Sequence, residues 1–355
     1  MTPPPPPSTE HGGLQAQLAQ LAQELRTARA EIIAELHNRS LLSYIRAHIP
    51  QSQRFMQQME QLGDLPGRWR RLLAGLDEDS CECVARIIGR ASILAQLDER
   101  HLPLLDICTP DELLELQRQR KLLRQQVVQL APQVYAWRHY LLPEPVFRPS
   151  VFLYRHQLDT LAHPQRLQRR EVIDAGACLG DSALILREYS QGRIHCFEAM
   201  SENLKLMQRT IELNELHDVI AVGKALGAEH GSAEFRYAAG SSTMMPGMPA
   251  FSGPGRVERV EVITLDSYVE QLRDDIDIGL IKVDIEGAEQ AFLSGARQTI
   301  ARFRPTLLIS IYHSAADFFE IKPLIESWEL GYTIRISRPP LAVGVDETLL
   351  ICEMP

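Results

Sequence analysis

The sequence has little of what would tie it to an oxidising compartment, a membrane or a nucleic acid. Among its 355 residues are six cysteines, at positions 81, 83, 108, 178, 196 and 352, with no CxxC pair and too low a density for a disulfide scaffold. Cys81 and Cys83 are the close pair, read as two helix or loop thiols with metal binding as the alternative. No apolar run reaches the roughly 18 residues of a membrane-spanning helix, and the N-terminus lacks the basic-then-apolar layout of a signal peptide. The expected location is cytoplasmic, with no membrane partner. Nor is there a basic stripe. Residues 1–150 hold 17 Lys and Arg against 17 Asp and Glu, and residues 151–355 hold 20 against 29, so the whole formal charge of −9 falls in the second part. Duplex phosphates demand neutralising cations, so nucleic acid is not an expected partner. The GxGxxG cradle of a nicotinamide fold and a YxxxK pair are missing too, which argues against a dehydrogenase.

What is present divides in two. Residues 1–13 are rich in Pro and Gly and read as a tail. From Leu14 an apolar seam runs through Leu18, Leu21, Leu25, Ala28 and Ile32, the spacing of a helix that packs on its neighbours or pairs two chains as a homodimer. Helical stretches follow at Ser52–Leu62, Cys81–Leu97 and Asp111–Leu130, the last entered through Thr109 as N-cap with Pro110 behind it. Residues 14–141 are therefore expected to form an all-α domain serving packing, oligomerisation or acceptor recognition. The segment LPEPVFRPS, residues 142–150, reads as an extended connection because three prolines interrupt any helix.

Beyond it, β-rich runs at Glu171–Asp174, Arg193–Phe197, Val219–Val222, Gly279–Val283 and Thr306–Ile311 alternate with helical ones at Ser182–Glu188, Glu202–Asn214, Ala288–Arg302 and Phe318–Glu329. That alternation predicts an α/β domain over 151–355 with a mainly parallel sheet and a ligand site at the carboxyl ends of its strands. Ala233–Tyr237 with Glu258–Thr264, and the closing Thr348–Glu353, are expected to be antiparallel.

The first of those strands runs into Asp174, Gly176 and Gly180, a DxGxxxG turn. Gly176 permits a close backbone approach, while Asp174 would repel a pyrophosphate and attract a cofactor bearing an amino group and a sulfonium. Glu198, twenty-four residues later at the tip of the second strand, is placed to accept hydrogen bonds from a ribose diol. In GLIKVDIEGAE, Lys282, Asp284 and Glu286 alternate along a strand end and are expected on one face, with Glu289 opening the next helix. Such a gathering of acids calls for a cation, a proton or a substrate.

The strings VIDAGACLGDSAL, CFEAMSENLKLMQRTIELN, KALG, VITLDSY, LIKVDIEGAE and ISIYHSAADFFEI, in that order over roughly residues 170–355, resemble the FkbM-type S-adenosylmethionine-dependent methyltransferases. The resemblance implies a class I methyltransferase, Rossmann-like, with a seven-stranded sheet whose last strand is antiparallel. It implies methyl transfer from S-adenosyl-L-methionine, usually to oxygen, with a small-molecule or glycan hydroxyl as acceptor. A peptide or nitrogen acceptor is the enzymatic alternative, and a helical binding protein with a vestigial Rossmann-like half is the other. Carried over, Asp174, Gly176, Ala177, Gly180 and Asp181 would wrap the methionine part with Ser182 beside them. Glu198 would hold the ribose next to Ala199 and Asn203, Ala225 of KALG would line the adenine, and Asp284 would complete the cofactor set. The sequence departs from the common pattern at Cys178, often Asn in the family, and at Ala199-Met200, where a proline often follows the acid.

For chemistry, His313 at the end of ISIYH is the expected general base, titrating near neutrality, with Asp284 and Glu286 as its catalytic neighbours. The preferred reading needs no metal. A divalent ion held by Asp284, Glu286 and His313 is the alternative. The Gly- and Pro-rich stretch 238–255 is expected to be a lid or acceptor loop, with Ser241 and Ser242 as contacts.

Overall fold

The computed structural model describes residues 17–18, 20–27, 39–97, 107–238, 241–244, 257–272, 275–340 and 343–355. A seven-stranded sheet is the centre of the molecule. Strands β4 (Glu171–Ala175), β5 (Ile194–Phe197), β6 (Val219–Val222), β11 (Ile278–Val283) and β12 (Thr306–Ser310) are parallel, and β13 (Thr333–Ser337) and β14 (Leu349–Glu353) close the edge. The order is β13-β14-β12-β11-β4-β5-β6, with β14 antiparallel to both its neighbours. This is the expected methyltransferase topology, and the chain reverses beside β4, where a doubly wound sheet opens its ligand crevice. Strands β4 and β11 are buried along their whole length, Glu171, Asp174 and Lys282 included, because helices cover both faces. Strand β13, TIRIS, escaped the sequence reading because it is a short edge strand with an exposed Thr and an Arg in it.

A second sheet sits beside the first: β7 (Ala225–Leu226), β10 (Val257–Ile263), β8 (Gly231–Ala238) and β9 (Ser241–Met244), in that order. The expected antiparallel pair is its centre, with Glu258 opposite Phe235 and Val260 opposite Ala233. Of the expected lid, β9 is described as backbone. Residues 239–240 and 245–256 lie outside the described residues, as do the side chains of Ser241 and Ser242.

Two expectations for the first 141 residues are corrected. They are not all helix. After helices α1 (Arg39–Ala47), α2 (Ile49–Gln61), α3 (Leu65–Leu73), α4 (Glu78–Ala95) and α5 (Pro110–Gln126) comes an antiparallel meander of β1 (Val128–Ala131), β2 (Val134–Trp137) and β3 (Tyr140–Leu142). Pro132 cannot continue a helix, and Gln133 and Arg138 turn the chain at φ of 57° and 54° between runs of β-branched and aromatic residues. Thr109 does cap α5, in a capping box with Glu112. The later helices are α6 (Pro149–Phe152), α7 (Asp181–Tyr189), α8 (Ser201–Leu213), α9 (Leu265–Glu270), α10 (Glu289–Gly295), α11 (Arg297–Phe303) and α12 (Ala315–Glu326).

Nor is the helical segment a separate domain. Phe55, Leu72, Val84, Ile87 and Ala91 belong to the same buried cluster as Ile173 and Ile281 of the sheet and Phe318 of α12. Side chains close the same seam: the Ile336 amide donates to Ser80 Oγ at 3.0 Å, and Lys322 donates to the Ala74 carbonyl at 2.6 Å. His48 lies 3.1 Å from Asp346. The composition change at residue 142 marks a change of secondary structure, and the core runs straight across it. The helical residues 17–18 and 20–27 carry Leu18, Leu21 and Leu25 largely exposed.

Candidate active site

Strand register builds the site. Asp174 on β4 stands directly opposite Lys282 on β11, and Lys282 Nζ donates to Asp174 Oδ1 at 2.9 Å and to the Gly176 carbonyl at 3.1 Å. Both side chains are buried, and Asp174 Oδ2 has no hydrogen-bond partner among the described residues. Burial pushes the Asp174 carboxyl up, with Lys282 opposing it. Asp174 is thus held beneath the turn by Lys282 through Oδ1, and it is not among the residues that line the cavity at the strand ends. Gly176 adopts φ +84°, and a Cβ there would come 1.9 Å from the Asp284 carbonyl oxygen. Only glycine lets β4 and β11 leave the sheet so close together.

The strand ends surround a cavity lined by Gly176, Glu198, Ala199, Asn203, Ala225 and Asp284 from the expected set, and also by Arg148, Phe197, Phe235 and Ile285. Ala177, Gly180, Asp181 and Ser182, expected at the ligand, are not among the residues that line this cavity. The Ala177 amide is spent on the Phe197 carbonyl, Gly180 caps α7 at φ +81°, Asp181 is gripped by Arg148 at 2.7 and 2.9 Å, and Ser182 bonds His156. Arg148 was invisible to motif reading because it lies in the proline-rich segment. A lone cation among prolines and apolar residues, ahead of an acid-rich half, was the available signal.

Glu198 is 5% exposed and its Oε1 accepts from the Met200 amide at 2.8 Å. Burial pushes its pKa up to about 7 against the amide donors of Met200, Cys178 and Asn203. It is a carboxylate kept desolvated at the wall of a cavity, poised to gain from hydroxyl donors.

At the other end, β11 stops at Val283, and the chain turns through Glu286 at φ 58° and Gly287 at φ 101°, so Lys282, Asp284 and Glu286 do not share one strand face as expected. Lys282 reaches back under the turn. Asp284 and Glu286 instead gather at His313 Nε2, at 3.5 and 3.6 Å, while Glu289 Oε1 sits 2.9 Å from Nδ1. Among the described residues neither ring nitrogen has an aligned hydrogen-bond partner, although the side chain is only 8% exposed, and Glu289 Oε2 has none either. Burial works to depress His313, but Glu289, Asp284 and Glu286 outweigh it and raise the imidazole to about 10. The neutral titration expected of this histidine is thus displaced by its carboxylates. Tyr312 Oη donates to Asp284 Oδ1 at 3.1 Å. Asp284, Glu289 and His313 offer three ligand atoms within 4.8 Å of one another, a donor set that also suits a divalent cation.

Comparison with known proteins bears on the family likeness and the fold. Residues 174–334 match the family model of the methyltransferase FkbM domain. A protein called Methyltransferase 1 from Beauveria bassiana (strain ARSEF 2860) is 26% identical over 193 residues, covering 48% of this chain and 75% of its own length. The crystal structure of methyltransferase FkbM from Methylobacillus flagellatus KT superposes with a TM-score of 0.50 at 18% identity, over 81% of this chain. The chain spans 58% of that protein's length, and the likeness bears on fold. With the seven-stranded topology, the glycine turn and the acidic strand ends already in place, residues 174–334 are matched as a methyltransferase FkbM domain on a methyltransferase fold.

Proposed function

We propose that the chain transfers a methyl group from S-adenosyl-L-methionine to a hydroxyl of a small-molecule or glycan acceptor. The observation that carries the reading is Glu198: a buried carboxylate at the wall of the cavity, with Gly176 in the same lining. S-adenosylmethionine fits these residues and supplies a methyl carbon activated by positive sulfur. Glu198 accepts the two ribose hydroxyls, Ala225 and Phe235 offer apolar surface to a base, and the Asp284 carboxylate faces the cationic part. Lys282 neutralises Asp174, so this negative field is concentrated at Asp284 and Glu286.

A hydroxyl acceptor must lose a proton, and the chain holds a group for it. His313 has Glu289 2.9 Å from Nδ1 and presents Nε2 between Asp284 and Glu286, a ring flanked by carboxylates that would stabilise its protonated form. An amine acceptor would have less need of such a cluster, which favours oxygen.

Replacing Glu198 with Ala removes two charge-assisted hydrogen bonds of roughly 1.5 to 3 kcal/mol each, so S-adenosylhomocysteine should bind about 100- to 10,000-fold more weakly by calorimetry. In the wild type the affinity should rise between pH 6 and 8, because ionised Glu198 is the better acceptor and its pKa lies at about 7. An affinity unmoved by both the substitution and the pH would overturn the cofactor assignment.

A further inference from the structure

On the outer side of Arg148 lies a second and larger concavity, a cleft of about 640 Å³ that no comparison assigns. Helix α5 gives it one face, with Leu116, Arg120, Leu123 and, just past the helix, Val127 spaced to line up along one side. Tyr135 of β2 and Phe147 of the proline-rich strap form the facing wall. Val146, also in the lining, is 42% exposed and keeps the cleft open to solvent at that edge. The size is that of a site for a drug-sized molecule, and the walls are apolar and aromatic with a few polar groups.

Arg148 joins this cleft to the methyl-transfer cavity, since it lines both and is held rigidly across the junction by its two bonds to Asp181. The second cation, Arg120, stacks over Tyr44 at 4.9 Å within the cleft.

We infer that this cleft is the acceptor site, and that it takes an elongated, largely apolar or aromatic small molecule that carries its reactive hydroxyl at the Arg148 end and has anionic or phenolic oxygens for the two arginines. The inference rests on the methyl-transfer reading above and narrows its acceptor. A bare sugar would bury its hydroxyls against leucine, valine and phenylalanine with few partners, at a cost for each one left unpaired. The meander and α5 also gain a purpose, because they build the acceptor wall that the methyltransferase sheet lacks.

The probe is 1-anilinonaphthalene-8-sulfonate, an aryl body with one anionic group, added to the full-length protein saturated with S-adenosylhomocysteine. The wild type should bind it at a single saturable site by fluorescence, and a polyphenol should displace it while methyl glucoside should not. Val146→Asp, at a half-exposed cleft position, should weaken the probe at least tenfold. Leu114→Asp, at an exposed position of α5 outside the cleft, should leave it unchanged. S-adenosylhomocysteine affinity should be the same in all three proteins, which reports their folding and separates this test from that of the cofactor. Equal probe binding by both variants, or displacement by the glucoside, would sink the acceptor assignment even with the cofactor bound. Failure of S-adenosylhomocysteine to bind the wild type would instead count against the function itself.

Discussion

A histidine among three carboxylates behaves differently from a histidine alone. Burial at His313 would favour the neutral ring, yet Glu289, Asp284 and Glu286 raise its pKa to about 10, so it is imidazolium at neutral pH in the absence of ligand. To act as base it must first lose a proton, and any cation brought to the same carboxylates makes that loss easier. By NMR, the His313 ring should titrate near 10 in the free protein and lower with a cationic ligand beside Asp284. Glu289→Gln removes the largest raising contribution and should bring the titration down by more than one pH unit. His313→Ala should then cut turnover by roughly 100- to 10,000-fold while leaving cofactor affinity in place. A ring that titrates at 6 to 7 in both proteins would contradict this account. Activity abolished by EDTA and restored by Mn²⁺ would hand the role to a metal on the same donor set.

At the scale of elements, the contact between His48 and Asp346 tests how the first helices are pinned to the sheet. His48 Nδ1 lies 2.8 Å from the Tyr44 carbonyl and Nε2 3.1 Å from Asp346, so it joins α1 and α2 to the turn before β14. Burial lowers the His48 pKa, but Asp346 more than offsets it and the net direction is up, while Asp346, paired with His48 and Arg338, is held down. The raised histidine contributes stability fully below its unfolded value, about 6.5, and loses it as pH rises through the folded value. The depressed carboxylate contributes above about 3.9 and loses it on acidification. Amide exchange protection in α1, corrected for intrinsic rates, should thus be greatest between roughly pH 4 and 6.5 and fall toward pH 9. His48→Gln should flatten that profile, and a flat wild-type profile would rule the pin out. The same residues mark where the sequence was legible. The parallel strands were plain because each is a short apolar run followed by an amphipathic helix, and Glu198 was found because its spacing from Asp174 is set by one βαβ unit. His48, Arg148 and the Trp137 meander were not, because each takes its meaning from a partner far along the chain, and local periodicity carries no record of such partners.

For the whole molecule, the exposed leucines at 18, 21 and 25 leave the oligomeric state to the N-terminal segment. If these side chains pair two copies, removal of residues 1–36 should halve the mass in light scattering and leave S-adenosylhomocysteine binding untouched, because the described core begins beyond them. A full-length protein of monomer mass would end that idea. The core shared by Phe55, Ile87, Ile281 and Phe318 has another consequence, for portability. A catalytic half cut at residue 150 would carry a raw apolar face where α2 and α4 had lain, and it could not be spliced behind a foreign recognition segment as a ready-made cassette. New acceptors would have to be won by rewriting the walls of the cleft in place, one side chain at a time.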